Sequence, residues 1–394
     1  MNVPRVRTAI VGCGTISNIY IRNLMHLFSI IDLVAVCDIV PQAAQAKADA
    51  YGVPRVMTME EIEADPEIEL VVCLTGPAQH YAVCKRMLLA GKHVYTEKML
   101  AATLDEGREL VALAGEKGLL LGVAPDTVLG AGVQTARKAL DAGLIGEPTS
   151  CLICINKDQS LMAERFRFLR QEGGALPFDM GGYYLSAMYW LLGCVAEVCA
   201  FTAPARPHRR QFLCEAETVD SYTIPGPAIM TGALRFESGV LGSLHINGDT
   251  VMPERPKLVV YGTEGTLELG DPNYFDGKVV LSRAENEPVA LPFTHGYDGT
   301  PTLPDPTPFE SQYGHRGVGV AELAWSLRKG RPCRLSGEYG LHTMEILYGM
   351  IESSKSGRSV SVVSRFQLRP LPSGYYSTMF GKAARADAEL SLVD

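Results

Sequence analysis

The stretch "VYTEKML", Val94 to Leu100, sets a glutamate beside a lysine where an apolar, strand-like run ends. Two opposite charges there are either a plain surface ion pair or part of a cleft, because open α/β sheets keep their chemistry at the carboxyl ends of parallel strands. Three other stretches have the same character. "VGCGTIS" places Gly12 and Gly14 after a strand and before a helix, with Thr15 and Ile16 completing the turn. Glycines in that position let backbone approach a pyrophosphate at a helix N-terminus, and Ser17, where a third glycine often stands, is small enough for close helix packing. Asp38 ends the next strand, about 20 residues further on, where a carboxylate accepts hydrogen bonds from an adenosine ribose and repels a 2′-phosphate. No arginine follows it in "IVPQAAQA". "LTGPAQHYA" ends another strand: Thr75 and Pro77 shape its turn, and His80 opens the following helix as either a cleft residue or a cap. These strand ends converge on one edge, which favours function for Glu97 and Lys98. A lysine there holds a substrate hydroxyl or lowers the pKa of a neighbouring acid.

The elements that must position these residues are legible. "RVRTAIVG", "IDLVAVCD", "IELVVCLTG", "GKHVYTEK" and "KGLLLGVA" read as strands, and "TISNIYIRNLMHLF", "PQAAQAKADAYG", "AQHYAVCKRMLLAG" and "LDEGRELVALAGEKG" as helices between them. Apolar strands linked by helices predict a parallel sheet covered on both faces. The alternation holds to about residue 125. Beyond it, "GALPFDMGGYYLSAMYWLLG" reads as a helix, followed by hairpin-like strands such as "IMTGALRFESG", "VLGSLHINGD", "KLVVYGTEG" and "GTLELGD". A proline-rich stretch from Glu287 to Arg316 has no clear period, and its length predicts an ordered segment at the site or an interface. The helices "GVGVAELAWSLRKG" and "GLHTMEILYGMIESSKSG" close the fold. The expected plan is α/β: a doubly wound parallel sheet over residues 1–125, then an α+β domain over 126–394 on a mostly antiparallel sheet, with the last helices free to pack back on the first domain.

Bulk properties narrow the function. The chain has 394 residues, 47% hydrophobic and 20% charged, enough for two domains. A formal net charge of -8 and a pI near 5.6 argue against a nucleic-acid or anionic-membrane surface. No apolar run approaches the roughly 20 residues that span a bilayer, and "MNVPRVRTAIVGCG" has no signal-peptide pattern. The ten cysteines are scattered. Cys151 and Cys154 form the one C-x-x-C, and in a strand they point to opposite faces, so no metal is expected. A reducing cytoplasm is the expected location.

"VGCGTIS", "CDIVPQ", "LTGPAQH" and "YTEKM", followed by "GGALPFDMGGYYLSAMYWLLG", resemble the Gfo/Idh/MocA oxidoreductases, the glucose–fructose oxidoreductase and inositol dehydrogenase group. The resemblance covers nearly the whole chain. It implies a Rossmann domain, an open-faced β-sheet domain, and NAD(P)-dependent redox chemistry on sugars, cyclitols or related polyols. By resemblance, the E-K-P lysine and the aspartate and histidine of a D-x-G-x-H motif fall on Lys98, Asp179 and Tyr183 as the catalytic set. Two departures stand out: Met99 replaces the proline, and Tyr183 replaces the histidine, with Tyr184 beside it. Asp126, after Pro125, either orients a sugar hydroxyl or caps the helix after it.

The expected cofactor is NAD rather than NADP, held by Gly12, Gly14, Thr15, Ile16, Asp38, Thr75, Pro77, His80, Glu97 and Lys98. Substrate contacts are expected from Lys98, Asp126, Asp179, Tyr183 and Tyr184. The expected base is Tyr183, with its pKa lowered by Lys98; Lys157, Arg165, Arg167 and Arg170 read as a solvated loop or subunit contact before they read as an anion site. The leading function is an NAD-dependent dehydrogenase of a sugar, glycoside or cyclitol. A non-catalytic NAD-binding regulator on the same fold, or a nicotinoprotein that retains its cofactor, are the alternatives. The alternating apolar residues of "TGALRFESG" and "LGSLHING" predict a face that pairs with another subunit, in a homodimer or homotetramer.

Overall fold

The computed structural model describes residues 3–171, 173–205, 224–250, 257–298 and 314–372. Its first sheet has six parallel strands: β1 (Val6–Val11), β2 (Ile31–Cys37), β3 (Arg55–Val56), β4 (Leu70–Cys73), β5 (His93–Thr96) and β6 (Leu121–Val123), in the spatial order β3-β2-β1-β4-β5-β6. Between them run α1 (Ser17–His26), α2 (Pro41–Tyr51), α3 (Met59–Ala64), α4 (Pro77–Leu89) and α5 (Leu104–Lys117). Proline opens both α2 and α4, where its missing N–H costs nothing. Reciprocal Thr–Glu capping boxes open α3, from Thr58 to Glu61, and α5, from Thr103 to Glu106. The two-residue β3 and α3 have no counterpart among the segments read from the sequence, because neither is long enough to show a period.

Strands β1, β2, β4 and β5 are buried along almost their whole length, as a sheet covered by helices on both faces requires. Their register lines up the ends that matter. Val11 pairs with Cys37 and Cys73, Cys73 with Thr96, and Thr96 with Val123. One row of residues therefore closes the sheet, and Gly12, Asp38, Leu74, Glu97 and Ala124 form the next row, at the edge. The strand order reverses direction between β1 and β4, where a crevice opens.

The second sheet has nine strands: β7 (Pro148–Asn156), β8 (Val195–Pro204), β9 (Pro227–Phe236), β10 (Leu241–Asn247), β11 (Lys257–Gly262), β12 (Thr266–Leu269), β13 (Val279–Ser282), β14 (Val289–Ala290) and β15 (Val360–Ser361). Their order is β14-β13-β12-β11-β7-β10-β9-β8-β15, antiparallel except for the β7–β10 pair. Around it lie α6 (Ala131–Asp141), α7 (Gln159–Arg165), α8 (Leu176–Asp179), α9 (Gly181–Leu192), α10 (Val318–Lys329) and α11 (Gly337–Ser356). The single helix expected over "GALPFDMGGYYLSAMYWLLG" is two, parted at Met180, and every residue of α9 is buried.

The alternation in β9 and β10 has a different cause from the one expected. Met230, Leu234, Phe236, Leu244 and Ile246 are buried against the chain's own helices; Ile246 lies against Gly181 of α9. The other face carries Thr231, Ala233, Arg235 and Ser243, with Phe201 of β8 74% exposed. The apolar alternates therefore mark the core face, and the other face mixes these polar residues with the exposed Phe201, Leu241 and Tyr261. Cys151 and Cys154 do fall on opposite sides of β7, the first buried and the second partly exposed.

The closing helices tie the two sheets together. Arg328 of α10 donates to the Pro4 and Arg5 carbonyls and to Glu69, and Met344 of α11 packs against Gly107 of α5. Glu322, fully buried in α10, accepts from both Arg331 and Arg334 and so fixes the turn into α11.

Candidate active site

Gly12 has φ +104, and a Cβ there would stand 2.7 Å from the Leu74 carbonyl carbon and 2.8 Å from the Thr75 nitrogen. Only glycine fits between the ends of β1 and β4. Gly14 has the opposite surroundings: a Cβ would meet nothing within 4 Å, and Gly14 and Thr15 are exposed. The turn is thus tight below and open above. It leads into α1, whose first two N–H groups, those of Ser17 and Asn18, donate back to the Gly14 and Thr15 carbonyls at 3.2 and 3.4 Å.

Asp38 braces this turn. One carboxylate oxygen accepts from the Cys13 N–H at 2.7 Å and the other from the Val40 N–H at 2.9 Å. The next residue, Ile39, is 98% exposed, so the carboxylate stands at an open rim. Burial, then the Asp38 charge, pushes the Cys13 thiol up to about 12, which keeps it protonated beside the turn.

Thr75 lies in the turn into α4, 3.3 Å from the Cys73 sulfur. Pro77 is the first residue of α4. His80 is fully buried, with Nδ1 2.6 Å from the Met99 carbonyl and Nε2 2.9 Å from the Thr75 carbonyl. Both ring nitrogens are taken by main chain. His80 therefore fastens the turn after β4 to the turn after β5, and any influence on a ligand passes through Thr75 and Met99.

The side chains of Glu97 and Lys98 are not paired with each other. Glu97 accepts from the Tyr20 hydroxyl of α1 at 2.7 Å and from the Lys98 N–H at 3.2 Å. Lys98 turns the other way. Its Nζ donates to the Asp179 carboxylate at 2.5 Å and the Asp179 carbonyl at 2.7 Å, and sits 4.9 Å from the centre of the Tyr183 ring. With Met99 in place of proline, the Lys98–Met99 peptide is cis, and so is Ala124–Pro125. Burial works against the ammonium, but the charges of Asp179 and Tyr183 outweigh it, so the Lys98 pKa is raised and the side chain stays charged.

Tyr183 departs from the expectation in one respect. Burial raises its pKa, and the lowering by Arg316 and then Lys98 does not cancel that rise, so the phenol is a weaker acid than free tyrosine. The physical reason is burial, to which the Glu97 and Asp179 carboxylates add, while Lys98 lies over the ring and is bonded to Asp179. The cation bonded to the hydroxyl is Arg316, at the end of the proline-rich stretch. Its Nη2 donates to the Tyr183 hydroxyl at 3.3 Å, to Asn273 Oδ1 at 2.8 Å and to the Asn273 carbonyl at 3.2 Å. No local signal marks Arg316 or Asn273, because both arrive from segments distant in sequence.

Asp126 is buried with its carboxylate engaged. One oxygen lies 3.5 Å from Arg316 Nη1, and the other accepts from the Gly317 and Gly319 N–H groups. It caps α10, a helix almost 200 residues away, rather than the segment after it. Tyr184 has no exposed surface, and burial followed by the Asp271 charge raises its pKa; it too is a core residue in this structure. Lys157 Nζ is 4.0 Å from the Met180 sulfur, Arg167 is exposed, and Arg170 donates to the Ala163 carbonyl; the Arg165 side chain lies outside the described residues. Half of the proline-rich stretch, 299–313, also lies outside them. On its flanks His295, Tyr297, His315 and Arg316 are all buried, and Arg316 reaches Tyr183 directly.

The sequence of this chain matches known families in two consecutive parts. The oxidoreductase family model with an NAD-binding Rossmann fold covers residues 6–124, and the Gfo/Idh/MocA C-terminal domain model covers 133–268. The chain belongs to the Gfo/Idh/MocA oxidoreductase family. Among its relatives is the scyllo-inositol 2-dehydrogenase (NADP(+)) of Bacillus subtilis, 24% identical over 91% of this chain and 96% of that protein. The inositol 2-dehydrogenase of Rhizobium meliloti is 25% identical over 91% and 99%. Among solved structures, levoglucosan dehydrogenase in complex with NADH has the same fold, with a TM-score of 0.76 at 18% identity, over 91% of this chain and all of that one. The chain is thus an NAD-binding oxidoreductase of a family that includes sugar and inositol dehydrogenases. No described helix is long and apolar enough to cross a membrane.

Proposed function

We propose that this protein transfers a hydride between a carbinol carbon of a cyclitol, sugar or glycoside and the nicotinamide of NAD. The observation that carries the reading is the meeting of Lys98, Asp179 and Tyr183 at the edge that also bears the glycine turn and Asp38. The residues fit a dinucleotide: the open side of Gly14 takes a pyrophosphate, and Asp38 takes a ribose and disfavours an added phosphate. Thr75, Pro77, Glu97 and Lys98 border the place of the nicotinamide. When bound, the nicotinamide supplies the redox chemistry.

The protein's own residues handle orientation and the proton. Lys98 gives two N–H groups to Asp179, and the third can bind the substrate oxygen. Asp179 holds the ammonium in place. Tyr183, protonated at rest because of its burial, exchanges a proton with the same oxygen. Nine described cysteines are free thiols, which supports a reducing cytoplasmic location. We place the domain boundary near residue 125, directly after β6, and take the active form as a homodimer or homotetramer, to be read by light scattering.

The test is absorbance at 340 nm with NAD and a panel of inositols, aldoses and anhydrosugars. Wild-type protein is expected to reduce NAD with at least one of them. Tyr183→Phe is expected to cut turnover by roughly 10²–10⁴-fold, the size of a general acid–base contribution, with NAD affinity nearly unchanged. Near wild-type turnover in that variant would move the proton carrier elsewhere in the cleft.

A further inference from the structure

Arg316 is 1% exposed, from a segment more than 130 residues away from Tyr183 in sequence, yet it donates to that residue's hydroxyl. A buried guanidinium is costly unless its position is over-determined. Here it is. Asn273 accepts twice from Nη2, through its side chain and its carbonyl, and Asp126 faces Nη1. Asp126 is itself pinned by the N-terminus of α10. The guanidinium carbon lies 5.2 Å from the Tyr183 ring centre. Asp126, Arg316 and Tyr183 thus form a chain that starts in the core and ends at the site, and Asn273 holds its middle.

We propose that Arg316 is the positioning residue of the proton carrier: by filling a lone pair of the Tyr183 hydroxyl, it directs that hydroxyl's own O–H toward the substrate and holds the charge left when the proton departs. The inference rests on the hydride-transfer reading above. In the direction of carbonyl reduction, the Tyr183 O–H bond breaks and the proton bonds to the substrate oxygen, as the substrate carbon receives hydride from the reduced nicotinamide. The negative charge left on the phenol oxygen then faces Arg316 Nη2, and water restores the proton. Oxidation of the carbinol runs the same steps backwards. Lys98 cannot replace Arg316 in this, because its ammonium is on the ring face and bonded to Asp179. The direction of the Tyr183 pKa agrees: Arg316 is the largest influence opposing burial.

The test uses full-length Arg316→Met, Arg316→Lys and Asn273→Ala proteins, each grown with 3-fluorotyrosine so that ionisation of residue 183 is read by fluorine NMR in the presence of NAD. The resonance is assigned with Tyr183→Phe. In Arg316→Met the midpoint for residue 183 is expected to rise by about one unit or more, the effect of removing a cation within ~4–6 Å. Its kcat is expected to fall at least about 10-fold, as part of the 10²–10⁴-fold that a complete proton carrier supplies. NAD affinity and KM are expected to change little, and Arg316→Lys is expected to restore part of both effects. Asn273→Ala leaves the Asp126 pair in place but removes the anchor that aims Nη2 at the hydroxyl, so it is expected to shift the midpoint in the same direction by less; it serves if Arg316→Met does not fold. An unchanged midpoint in either folded charge-removing or Asn273 variant overturns the inference. If wild-type protein moves no hydride at all, the function reading fails, while the titration of residue 183 still tests the contact by itself.

Discussion

Replacing Asp38 by asparagine removes one charge at an open rim and keeps the side-chain volume. In the native chain that carboxylate already accepts two backbone N–H groups, from Cys13 and Val40. Its lone pairs toward the rim remain for a ribose, and its charge opposes a phosphate. A unit charge about 5 Å away costs about 0.8 kcal/mol at the dielectric of water and about 3 kcal/mol at an effective value of about 20. Since about 1.4 kcal/mol is tenfold in affinity, wild-type protein should prefer NADH over NADPH by roughly 4- to 150-fold. Ile39, almost fully exposed, puts the site toward the screened end of that range. Asp38→Asn should erase most of this preference. It should also weaken NADH itself by up to about 10-fold, because an amide offers one acceptor oxygen where the carboxylate offers two, and a charge-assisted bond to the turn is lost. Dissociation constants for both cofactors, measured by calorimetry at low and at high salt, check each part; screening at about 1 M salt should shrink the wild-type preference. Tighter binding of NADPH than NADH by the wild type, or an unchanged ratio in Asp38→Asn, would refute the reasoning. The question has weight because one full-length relative carries NADP(+) in its name.

Other perturbations have equally direct readouts. Lys98→Met should lower turnover at least as far as Tyr183→Phe and move the alkaline limb of the pH–rate profile upward, because a cation near the phenol is gone. Gly12→Ala should cost about 2–5 kcal/mol, from backbone atoms of Leu74 and Thr75 in the way and a φ that alanine disfavours, read as a lower denaturant midpoint with NAD binding lost. Glu345 accepts from the Val363 and Ser364 N–H groups and from Arg108; burial raises its pKa, but these partners prevail and lower it. Its contribution is therefore present above the unfolded value of about 4.3 and is lost as pH falls through the lower folded value. Glu345→Gln should destabilise by about 1–2 kcal/mol near pH 7, with the difference from wild type vanishing in acid, as followed by urea unfolding. Glu322→Ala should cost about 3–5 kcal/mol by leaving Arg331 and Arg334 buried without their carboxylate; a loss under about 1 kcal/mol would show that water replaces it.

The amino-acid sequence alone determined the first parallel sheet and the helices around it, apart from the short β3 and α3. Apolar runs of strand length alternate with helical periods, and each glycine, acid or turn residue follows its strand directly, so a parallel sheet had only one edge on which to collect Gly12, Asp38, Thr75 and Lys98. The spacing of Asp179 and Tyr183 likewise carried their shared approach to Lys98, even across the break at Met180. What tertiary structure decided is what those groups face. Glu97 and Lys98 are adjacent in sequence, but one is claimed by α1 and the other by the α8–α9 junction. Asp126 caps a helix almost 200 residues further on, and the apolar alternation of β9 and β10 turned inward, because periodicity marks a buried face without saying what buries it. Above all, the cation at the Tyr183 oxygen is Arg316. Its contact joins segments with no local pattern in common, and the balance between burial and charge that sets a phenol's acidity exists only once the chain has folded around it.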